Sequence, residues 1–319
     1  MKGWNYMLRK LSLLAMFSIL ILSNLNIFFN DEICSAKDGI TLYVGGTEAG
    51  NYTTIQEAIH NSSDNDTIFV YNGTYNENIV INKSIDLIGS GKNFTFIDGN
   101  NSVYIILIKS SWVNITGFTI QNARAGIYIF EANYSFNNIT DNFFSNNWEG
   151  IRLYESSNNK LSDNIFYNNS NFGIVSYESK NNLIVANTFI DNYRAISLGR
   201  WSDGNIIHGN NLTDNIFAIN LEDSFNNLIY ENLIINSSCG ILLDNSNNNN
   251  ITNNNIEFSR DSGIYLSYSD DNDILENNFF KNNKDIDRES EPPSIKAPGF
   301  EVLLVTCAIL FVLFLRRRR

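Results

Sequence analysis

The sequence predicts an all-β fold, a right-handed parallel β-helix of roughly ten coils of 22–24 residues. Three observations support this prediction: matching side chains recur at that spacing from residue 103 to 286, 54 of the 319 residues are Asn, and Pro292 is the first proline. A fixed period of this length is typical of repeat architectures. Prolines are rare inside sheets because they cannot donate a backbone hydrogen bond.

Several series of positions define one coil. In each repeat a Gly or Ala precedes an Ile, an Asn marks a corner, and apolar residues lie three positions before and two positions after that Asn. The small residues are Gly126, Gly150, Gly173, Ala195, Ala218, Gly240 and Gly263; the asparagines are Asn142, Asn164, Asn187, Asn210, Asn232, Asn254 and Asn277; the earlier apolar residues are Ile139, Leu161, Ile184, Ile207, Ile229, Ile251 and Ile274; the later ones are Phe144, Phe166, Phe189, Leu212, Ile234, Ile256 and Phe279.

Short alternations of apolar and polar residues between Asn-, Ser- and Gly-rich corners indicate three short strands in each coil. In a parallel β-helix each coil stacks on the last at about 4.8 Å. We therefore expect the Phe, Leu and Ile series to form one inner column. We also expect the asparagine amides to hydrogen-bond along the axis.

Residues 1–36 are predicted to be a signal peptide. Lys2, Arg9 and Lys10 precede the apolar run 11–22, and Cys34 and Ala36 stand at the spacing that a signal peptidase accepts. Asparagines interrupt the apolar stretch before it could span a bilayer. The pattern therefore predicts an exported protein.

Residues 37–66 are predicted to form an N-terminal strand and a capping helix, followed by coils over 67–287. Thr54 to Glu57 has the pattern of a capping box, and Ile55, Ala58 and Ile59 give the helix one apolar face. This helix would cover the first coil, whose open edge needs protection. At the other end the charged segment 284–291 replaces an apolar strand.

Residues 288–298 are predicted to be a linker and 299–319 a C-terminal transmembrane helix. Val302 to Leu315 is apolar or small, and Arg316 to Arg319 would stay in the cytoplasm. With Pro298, Gly299 and Phe300 directly before it, this tail resembles the PGF-CTERM sorting signal of archaeal surface proteins. The resemblance implies cleavage by an archaeosortase and replacement of the tail by a lipid.

The body of the chain is strongly acidic. Residues 37–298 hold 15 basic and 31 acidic side chains, a net charge of −16. Nucleic acid is therefore excluded as a partner, because its phosphates need basic groups. The same charge disfavours polyanionic sugars unless Ca²⁺ bridges them.

Five short segments carry a family resemblance. They are Thr54–Ile59, Asp66–Val70, Asn72–Tyr75, Ile85–Gly89 and Ile97–Gly99. They resemble the opening of pectin-lyase-like β-helix proteins, and the Gly-Ile-x-Leu and Asn-x-Phe patterns of the later coils are similar to the NosD branch, the carbohydrate-binding and sugar-hydrolase repeat. The resemblance covers about residues 38–287. This fold hosts lyases, esterases, epimerases, binding proteins and spacers.

The resemblance to NosD proteins, commonly labelled periplasmic copper-binding, raises copper as a cofactor. A copper site needs clustered imidazole or sulfur ligands. All three methionines lie in the predicted signal, which leaves only His60, His208 and Cys239 in the body. This ligand count disfavours copper.

Aromatic side chains and carboxylates follow the Gly-Ile corner in three successive coils. Phe130, Tyr154 and Tyr177 would stack as a strip able to bind sugar, and Glu131, Glu155 and Glu178 come one position later. Carboxylates about 5 Å apart could also serve glycoside hydrolysis. The structural alternative is that aromatics favour exposed strands and that glutamates keep the rod soluble.

Two further features concern ions and glycans. Asp270, Asp271 and Asp273 are candidate Ca²⁺ ligands, although Asp-rich segments also form ordinary turns. Fourteen Asn-x-Ser/Thr sequons lie between residues 37 and 291, so the exported face is a candidate for N-glycosylation.

Two functions fit the sequence. The preferred one is a non-catalytic surface protein, anchored on an archaeal-type envelope or its S-layer, that binds or presents polysaccharide. The alternative is a polysaccharide lyase, hydrolase or epimerase of the same fold. No coil from 126 on exceeds 24 residues, so long loops that would wall an active site are missing from the repeat, which favours the first function.

Overall fold

Parallel pairing between strands one coil apart builds the molecule. The computed structural model describes residues 39–132 and 134–289, which contain one helix, α1 (Ile55–Asn61). The strands are β1 (Thr41–Val44), β2 (Thr67–Val70), β3 (Gly73–Tyr75), β4 (Ile79–Ile81), β5 (Asp86–Gly89), β6 (Thr95–Ile108), β7 (Asn114–Thr116), β8 (Thr119–Phe130), β9 (Asn138–Thr140), β10 (Phe143–Ser145), β11 (Glu149–Tyr154), β12 (Lys160–Ser162), β13 (Ile165–Tyr167), β14 (Phe172–Tyr177), β15 (Leu183–Val185), β16 (Thr188–Ile190), β17 (Arg194–Gly199), β18 (Ile206–His208), β19 (Asn211–Thr213), β20 (Phe217–Glu222), β21 (Leu228–Tyr230), β22 (Leu233–Ile235), β23 (Cys239–Asp244), β24 (Asn250–Thr252), β25 (Asn255–Glu257), β26 (Ser262–Ser267), β27 (Asp273–Leu275), β28 (Asn278–Phe280) and β29 (Ile286–Glu289).

The strands stack in three rows, so the all-β parallel fold is confirmed. One row is an 11-stranded sheet in the order β1-β2-β5-β7-β9-β12-β15-β18-β21-β24-β27. The solenoid therefore has about eleven turns rather than ten, because β1, predicted as a separate N-terminal strand, pairs with β2 as the first rung. The long strands β6 and β8 each contribute to both remaining rows.

The predicted inner column is present. The rings of Phe144 and Phe166 stack at 4.8 Å between centroids, and those of Phe166 and Phe189 at 4.7 Å. Leu212 continues the column in register. All of these side chains are fully buried. Burying such side chains is the main stabilising contribution to a fold.

The predicted asparagine ladder is also present, and two further ladders accompany it. Asn187 Oδ1 accepts hydrogen bonds from Asn164, from its backbone N–H at 3.0 Å and from Nδ2 at 3.1 Å. Asn159 and Asn182 repeat the pattern at one corner, and Asn169 and Asn192 at another. These amides satisfy backbone groups that would otherwise be buried without hydrogen bonds.

The small residue before each Ile is required by close approach. A Cβ on Gly150 would lie 2.5 Å from the carbonyl oxygen of Gly173 and 2.7 Å from a ring carbon of Phe166. Gly150 has no positive φ, so space and not backbone conformation selects glycine at this corner.

The capping helix is present as predicted. Thr54 Oγ1 accepts a hydrogen bond from the Glu57 N–H at 3.2 Å, and Ile55, Ala58 and Ile59 are fully buried over the first coil. The Glu77 carboxylate accepts the N–H of Ile55, one of the free donors of the first turn.

The last described coil ends in a charged strand. The segment predicted to end the repeats with charge pairs as β29 along β26, and its side chains are mostly exposed. Residues 1–38 and 290–319 lie outside the described residues, as do the signal-peptide prediction and the sorting residues Pro298, Gly299 and Phe300. Among residues 39–289 that are described, no helix has the length and apolar character needed to cross a membrane.

Candidate functional site

Outward side chains of the six-residue strands form the candidate site, here called the long-strand face. It comprises the outer surface of β11, β14, β17, β20, β23 and β26 and of the second halves of β6 and β8. In β11 the outward residues are Glu149, Arg152 and Tyr154. Two consecutive residues, Gly150 and Ile151, turn inward, because the space at Gly150 belongs to the core. This local irregularity places Glu149 and Arg152 on the same face.

The three predicted aromatic residues lie in one row of this face. Phe130 pairs in register with Tyr154, and Tyr154 with Tyr177. The rings of Phe130 and Tyr154 are 5.5 Å apart at 36°. The row ends at Gly199, where a Cβ would come within 2.9 Å of the Tyr177 ring. Tyr177 therefore leans over the position where a fourth side chain would stand.

The three predicted glutamates lie at the corner directly after this row. Glu131, Glu155 and Glu178 have φ values of 104°, 51° and 51°. Each backbone N–H donates to a carbonyl in the next coil, and that of Glu178 reaches Arg200. The row of carboxylates is thus followed by a guanidinium, which the sequence interpretation did not include.

An ion pair on the same face was also missed. Arg152 Nη1 donates to both carboxylate oxygens of Glu149, at 3.0 and 3.2 Å. The Glu149 side chain is only 4 % exposed, whereas Arg152 is 27 % exposed. Burial raises the pKa of Glu149, and the attraction of Arg152 opposes that rise.

Arg152 also lies between two tyrosines. Its guanidinium carbon is 5.5 Å from the ring centroid of Tyr128 and 5.4 Å from that of Tyr177. Burial raises the pKa of both phenols, with Arg152 opposing the rise. Within the described residues Arg152 Nε is buried without a hydrogen-bond partner, so one donor of this group remains available.

Positive charge is concentrated here although the rod is acidic. Residues 37–298 contain six arginines, and four of them, Arg124, Arg152, Arg194 and Arg200, lie between residues 124 and 200. Arg194 is held over the rings of Tyr193 and Phe217 at 4.9 and 5.3 Å. Net charge alone therefore underestimates the ability of this face to accept anions.

A groove runs between these side chains. Its floor is formed by small or uncharged residues, Val175, Ser197 and Asn220, and Asn220 Nδ2 donates to Ser197 Oγ at 3.2 Å. Beside it lies an open cavity of about 350 Å³. The lining residues are Arg152, Tyr154, Tyr177, Glu178, Arg200 and Glu222. Such a size is within the range of small-molecule sites.

The missed residues had a signal in the sequence. Arg152 and Arg200 lie 26 and 22 residues from Glu178, and stacking the repeats would have placed them around Tyr177. The Glu149 contact could not be read this way, because it depends on the two inward residues at Gly150.

The predicted Ca²⁺ ligands lie elsewhere. Asp270, Asp271 and Asp273 line an open cleft of about 450 Å³ with Asn248 and Asn250. Asp270 Oδ1 is 3.7 Å from Arg288. Across residues 39–132 and 134–289, no group of three or more His, Cys, Asp or Glu side chains is arranged to hold a metal ion.

Comparison with known proteins identifies a family and a fold. The family model described as "Periplasmic copper-binding protein (NosD)" matches residues 59–237 and 200–294, which together span residues 59–294 of the 319. A probable pectinesterase/pectinesterase inhibitor of Arabidopsis thaliana is 43 % identical over 70 residues. That match covers 20 % of this chain and 13 % of the length of the relative.

Solved structures share the right-handed parallel β-helix. An alginate lyase from Paenibacillus sp. str. FPU-7 is similar with a TM-score of 0.54 at 13 % identity, over 77 % of this chain and 99 % of that one. XylC in complex with xylose gives 0.61 at 11 % identity, over 74 % and 69 %. Pectate lyase Pel9A gives 0.50 at 15 % identity, over 77 % and 78 %. At these identities the likeness shows the fold alone.

The residues present do not fit a copper centre. His60 is in helix α1, His208 is in β18 and Cys239 is in β23, several coils apart. Burial raises the pKa of the Cys239 thiol to about 12, with Asp261 adding to the rise, so the thiolate that binds metal is disfavoured. The His208 ring stacks on Tyr230 at 4.7 Å. The family description and the residues of this chain therefore disagree.

Proposed function

From the premise that this chain belongs to the NosD family, we propose that it is an exported, non-catalytic β-helix protein that binds polysaccharide along its long-strand face. The family is described as periplasmic, which is consistent with export. A rigid rod whose coils repeat at about 4.8 Å suits an extended, repetitive ligand.

The observation that carries the proposal is the aromatic row beside arginines. Tyr154 and Tyr177 line the same 350 Å³ cavity as Arg152 and Arg200. The apolar face of a sugar ring packs on aromatic side chains. Guanidinium groups bind carboxylates with two parallel hydrogen bonds. The combination favours sugars that carry a carboxylate, in spite of the acidic rod around them.

A non-catalytic role is supported by the shape of the face. The coils from Thr119 onward connect short strands by corners and carry no long inserted loops. Excluding water from a reacting bond requires such walls. The Glu149 carboxylate is engaged on both oxygens by Arg152, which makes it a structural partner of that arginine.

A second candidate is a polysaccharide-modifying enzyme, lyase, hydrolase or epimerase. One observation favours it: Glu149 is a buried carboxyl group with a raised pKa next to a cavity, and such groups are common at active sites. The predicted glutamates Glu131, Glu155 and Glu178 would be further candidates for acid or base. Ca²⁺ bridging through the aspartates of the cleft at 270–273 belongs to the same hypothesis.

The location is part of the proposal. Removal of residues 1–36 would export the protein, and the apolar tail would anchor it at the cell surface until a sorting enzyme cleaves near Pro298, Gly299 and Phe300. Mass spectrometry of the mature protein from its own cells tests this directly. Recovery of the C-terminal arginines in the mature chain would contradict the processing step.

Incubation of the purified protein with neutral and acidic polysaccharides separates the two functions. We expect retention on an acidic polymer with no change in the polymer. New reducing ends or unsaturated products would identify an enzyme, and the absence of both retention and products would refute both candidates. Glu149→Gln is the matched variant: it should abolish products if Glu149 transfers protons, and leave retention unchanged within about twofold if the protein only binds.

A further inference from the structure

Two bulky aromatic residues occupy corners that later coils give to Asn or Gly. Trp112 and Phe136 have φ values of 61° and 60°, in the left-handed region. Each precedes a position joined to the ladder that runs through Asn137, which identifies the equivalent corner in every coil. The later residues there, with φ between 55° and 68°, are Asn158, Asn181, Gly204, Asn226 and Asn248.

This placement is unfavourable for the backbone. A bulky side chain at positive φ is uncommon and costs energy that Asn or Gly largely avoids. Strained residues of this kind concentrate at functional sites. Local backbone preference therefore does not explain why two successive coils carry Trp112 and Phe136.

The two rings form an exposed apolar ledge. Their centroids are 4.7 Å apart and their planes differ by 8°. Trp112 is 61 % exposed. The preceding coil has the small Ser84 at the aligned position, since Asp86 pairs with Asn114. No aromatic ring of that coil continues the stack over Trp112, so the ledge offers a flat surface to a ligand.

The same two segments carry glycosylation sequons at a fixed distance from the ring. Trp112 is followed two residues later by Asn114 and four residues later by Thr116, and Phe136 is followed in the same way by Asn138 and Thr140. Asn114 and Asn138 begin β7 and β9 and are paired in register. Asn114 and Trp112 both lie outward, on either side of the fully buried Val113.

We propose that Asn114 is an N-glycosylation site and that the first sugar of its glycan packs its C–H face against Trp112. The glycan is a covalent ligand of this chain, so the occupant of the ledge is specified. The sequon asparagine has the required accessibility, since none of the thirteen sequon asparagines in the described residues is buried. All described members of the three asparagine ladders lie outside sequons.

The modification is a group transfer from a lipid-linked oligosaccharide phosphate. The side-chain amide nitrogen forms a bond to C1 of the sugar, the bond from C1 to the phosphate oxygen breaks, and the amide nitrogen loses one proton. Asn114 Nδ2 donates one of its two hydrogens to Asp86 Oδ1 at 2.6 Å, so the other is the one replaced. Because β7 is paired on both sides in the folded rod, transfer precedes closure of this coil.

Asn114 is favoured over Asn138 by exposure. Asn138 is half-buried, and its amide oxygen is buried without a hydrogen-bond partner among the described residues. Neighbouring strands are separated by about 4.8 Å, which is too close for two glycans side by side. We therefore assign one glycan to this pair of coils, on Asn114.

The chain supplies its own matched control. Asn250, Ile251 and Thr252 form a sequon at the same register position in β24, but the corner residue before it is Asn248 and not an aromatic residue. A glycan at Asn250 would have no ring to pack against at that corner.

The test is secretion of the full chain from a host whose oligosaccharyltransferase modifies a reporter sequon, followed by glycopeptide mass spectrometry. We expect Asn114 to be occupied at least threefold more often than Asn250. Enzymatic removal of the glycan should lower the thermal midpoint of the wild type. In Trp112→Asn, which carries the residue that later coils accept at this corner, glycan removal should leave the midpoint unchanged.

Two results would overturn the proposal. One is an unmodified Asn114, or occupancy of Asn138 or Asn250 equal to or above it, in a host that modifies the reporter. The other is equal loss of thermal stability on deglycosylation in the wild type and in Trp112→Asn, because the ledge would then contribute nothing to glycan packing.

Discussion

Arg152 Nη1 lies 3.0 Å from Oε1 of Glu149, and this contact joins two residues that the strand pattern alone would place on opposite faces. The inward turn at Gly150 brings them together. The pair holds a guanidinium between Tyr128 and Tyr177 at the edge of the cavity. The buried carboxylate thereby positions the arginine that the proposed ligand would contact.

Glu149 should give the fold a measurable pH dependence. Its pKa is higher in the folded protein than its ordinary value of 4.5, chiefly because of burial. The folded state therefore binds more protons than the unfolded one, so the contribution to stability is complete below pH 4.5 and declines as pH rises through the folded pKa. The thermal midpoint of the wild type should fall relative to Glu149→Gln as pH rises above 4.5. A difference that stays constant from pH 4 to 7 would contradict the raised pKa.

The asparagine ladders should be essential for stability. Asn187→Ala removes the acceptor of two hydrogen bonds from Asn164 and the donor to the Leu161 carbonyl at 2.8 Å. Because buried polar groups lose their hydrogen bonds, we expect a loss of about 2–4 kcal/mol in the free energy of unfolding. Denaturant unfolding measures it, with Asn211→Ala as a control at an exposed position. Equal effects of the two variants would show that the ladder is dispensable.

The glycine corner should respond to space rather than to backbone conformation. In Gly150→Ala the new Cβ meets the Gly173 carbonyl oxygen, so we expect a loss of about 1–3 kcal/mol. Gly209→Ala is the comparison, since Gly209 has a φ of 62° but a Cβ added there would have no atom within 4 Å. Its cost should be about 1–2 kcal/mol from the left-handed backbone alone. Hydrogen exchange of the Ile174 amide should rise only in Gly150→Ala.

Repetition explains why the fold could be predicted from the sequence. Phe144, Phe166 and Phe189 recur in one register, and a single register assigns the inner column, one ladder and the tight corners together. Thr54 and Ile55 likewise carry a local pattern that is sufficient for the capping helix. These features depend on residues at fixed spacing, which the sequence displays directly.

The candidate site was only partly predictable, because it depends on departures from the repeat. The aromatic row of Phe130, Tyr154 and Tyr177 follows from the period. The Glu149 contact requires the consecutive inward residues in β11. Arg200 is followed by Trp201, an extra residue in its coil, and both have positive φ values of 42° and 60°. Irregularities of this kind change which side chains meet without altering the average period.

Binding to an acidic polysaccharide should be sensitive to salt through the arginines of the long-strand face. Arg200→Gln should weaken binding by about threefold to tenfold at low salt and reduce the dependence of affinity on ionic strength. Arg260→Gln, at an exposed position away from the cavity, is the matched control and should leave both unchanged. Titration at several salt concentrations makes the comparison. Equal effects of the two variants would indicate general charge attraction and not a site.

The most direct test of the account is the affinity of Tyr154→Ala and Tyr177→Ala for an acidic polysaccharide, measured beside Tyr43→Ala. Tyr43 is 43 % exposed on β1, on a different sheet of the rod. We predict that each of the first two variants loses about threefold to tenfold in affinity, as expected for one aromatic stacking contact, while Tyr43→Ala binds like the wild type. Unchanged affinity in both Tyr154→Ala and Tyr177→Ala, with the fold intact, would contradict binding along the long-strand face.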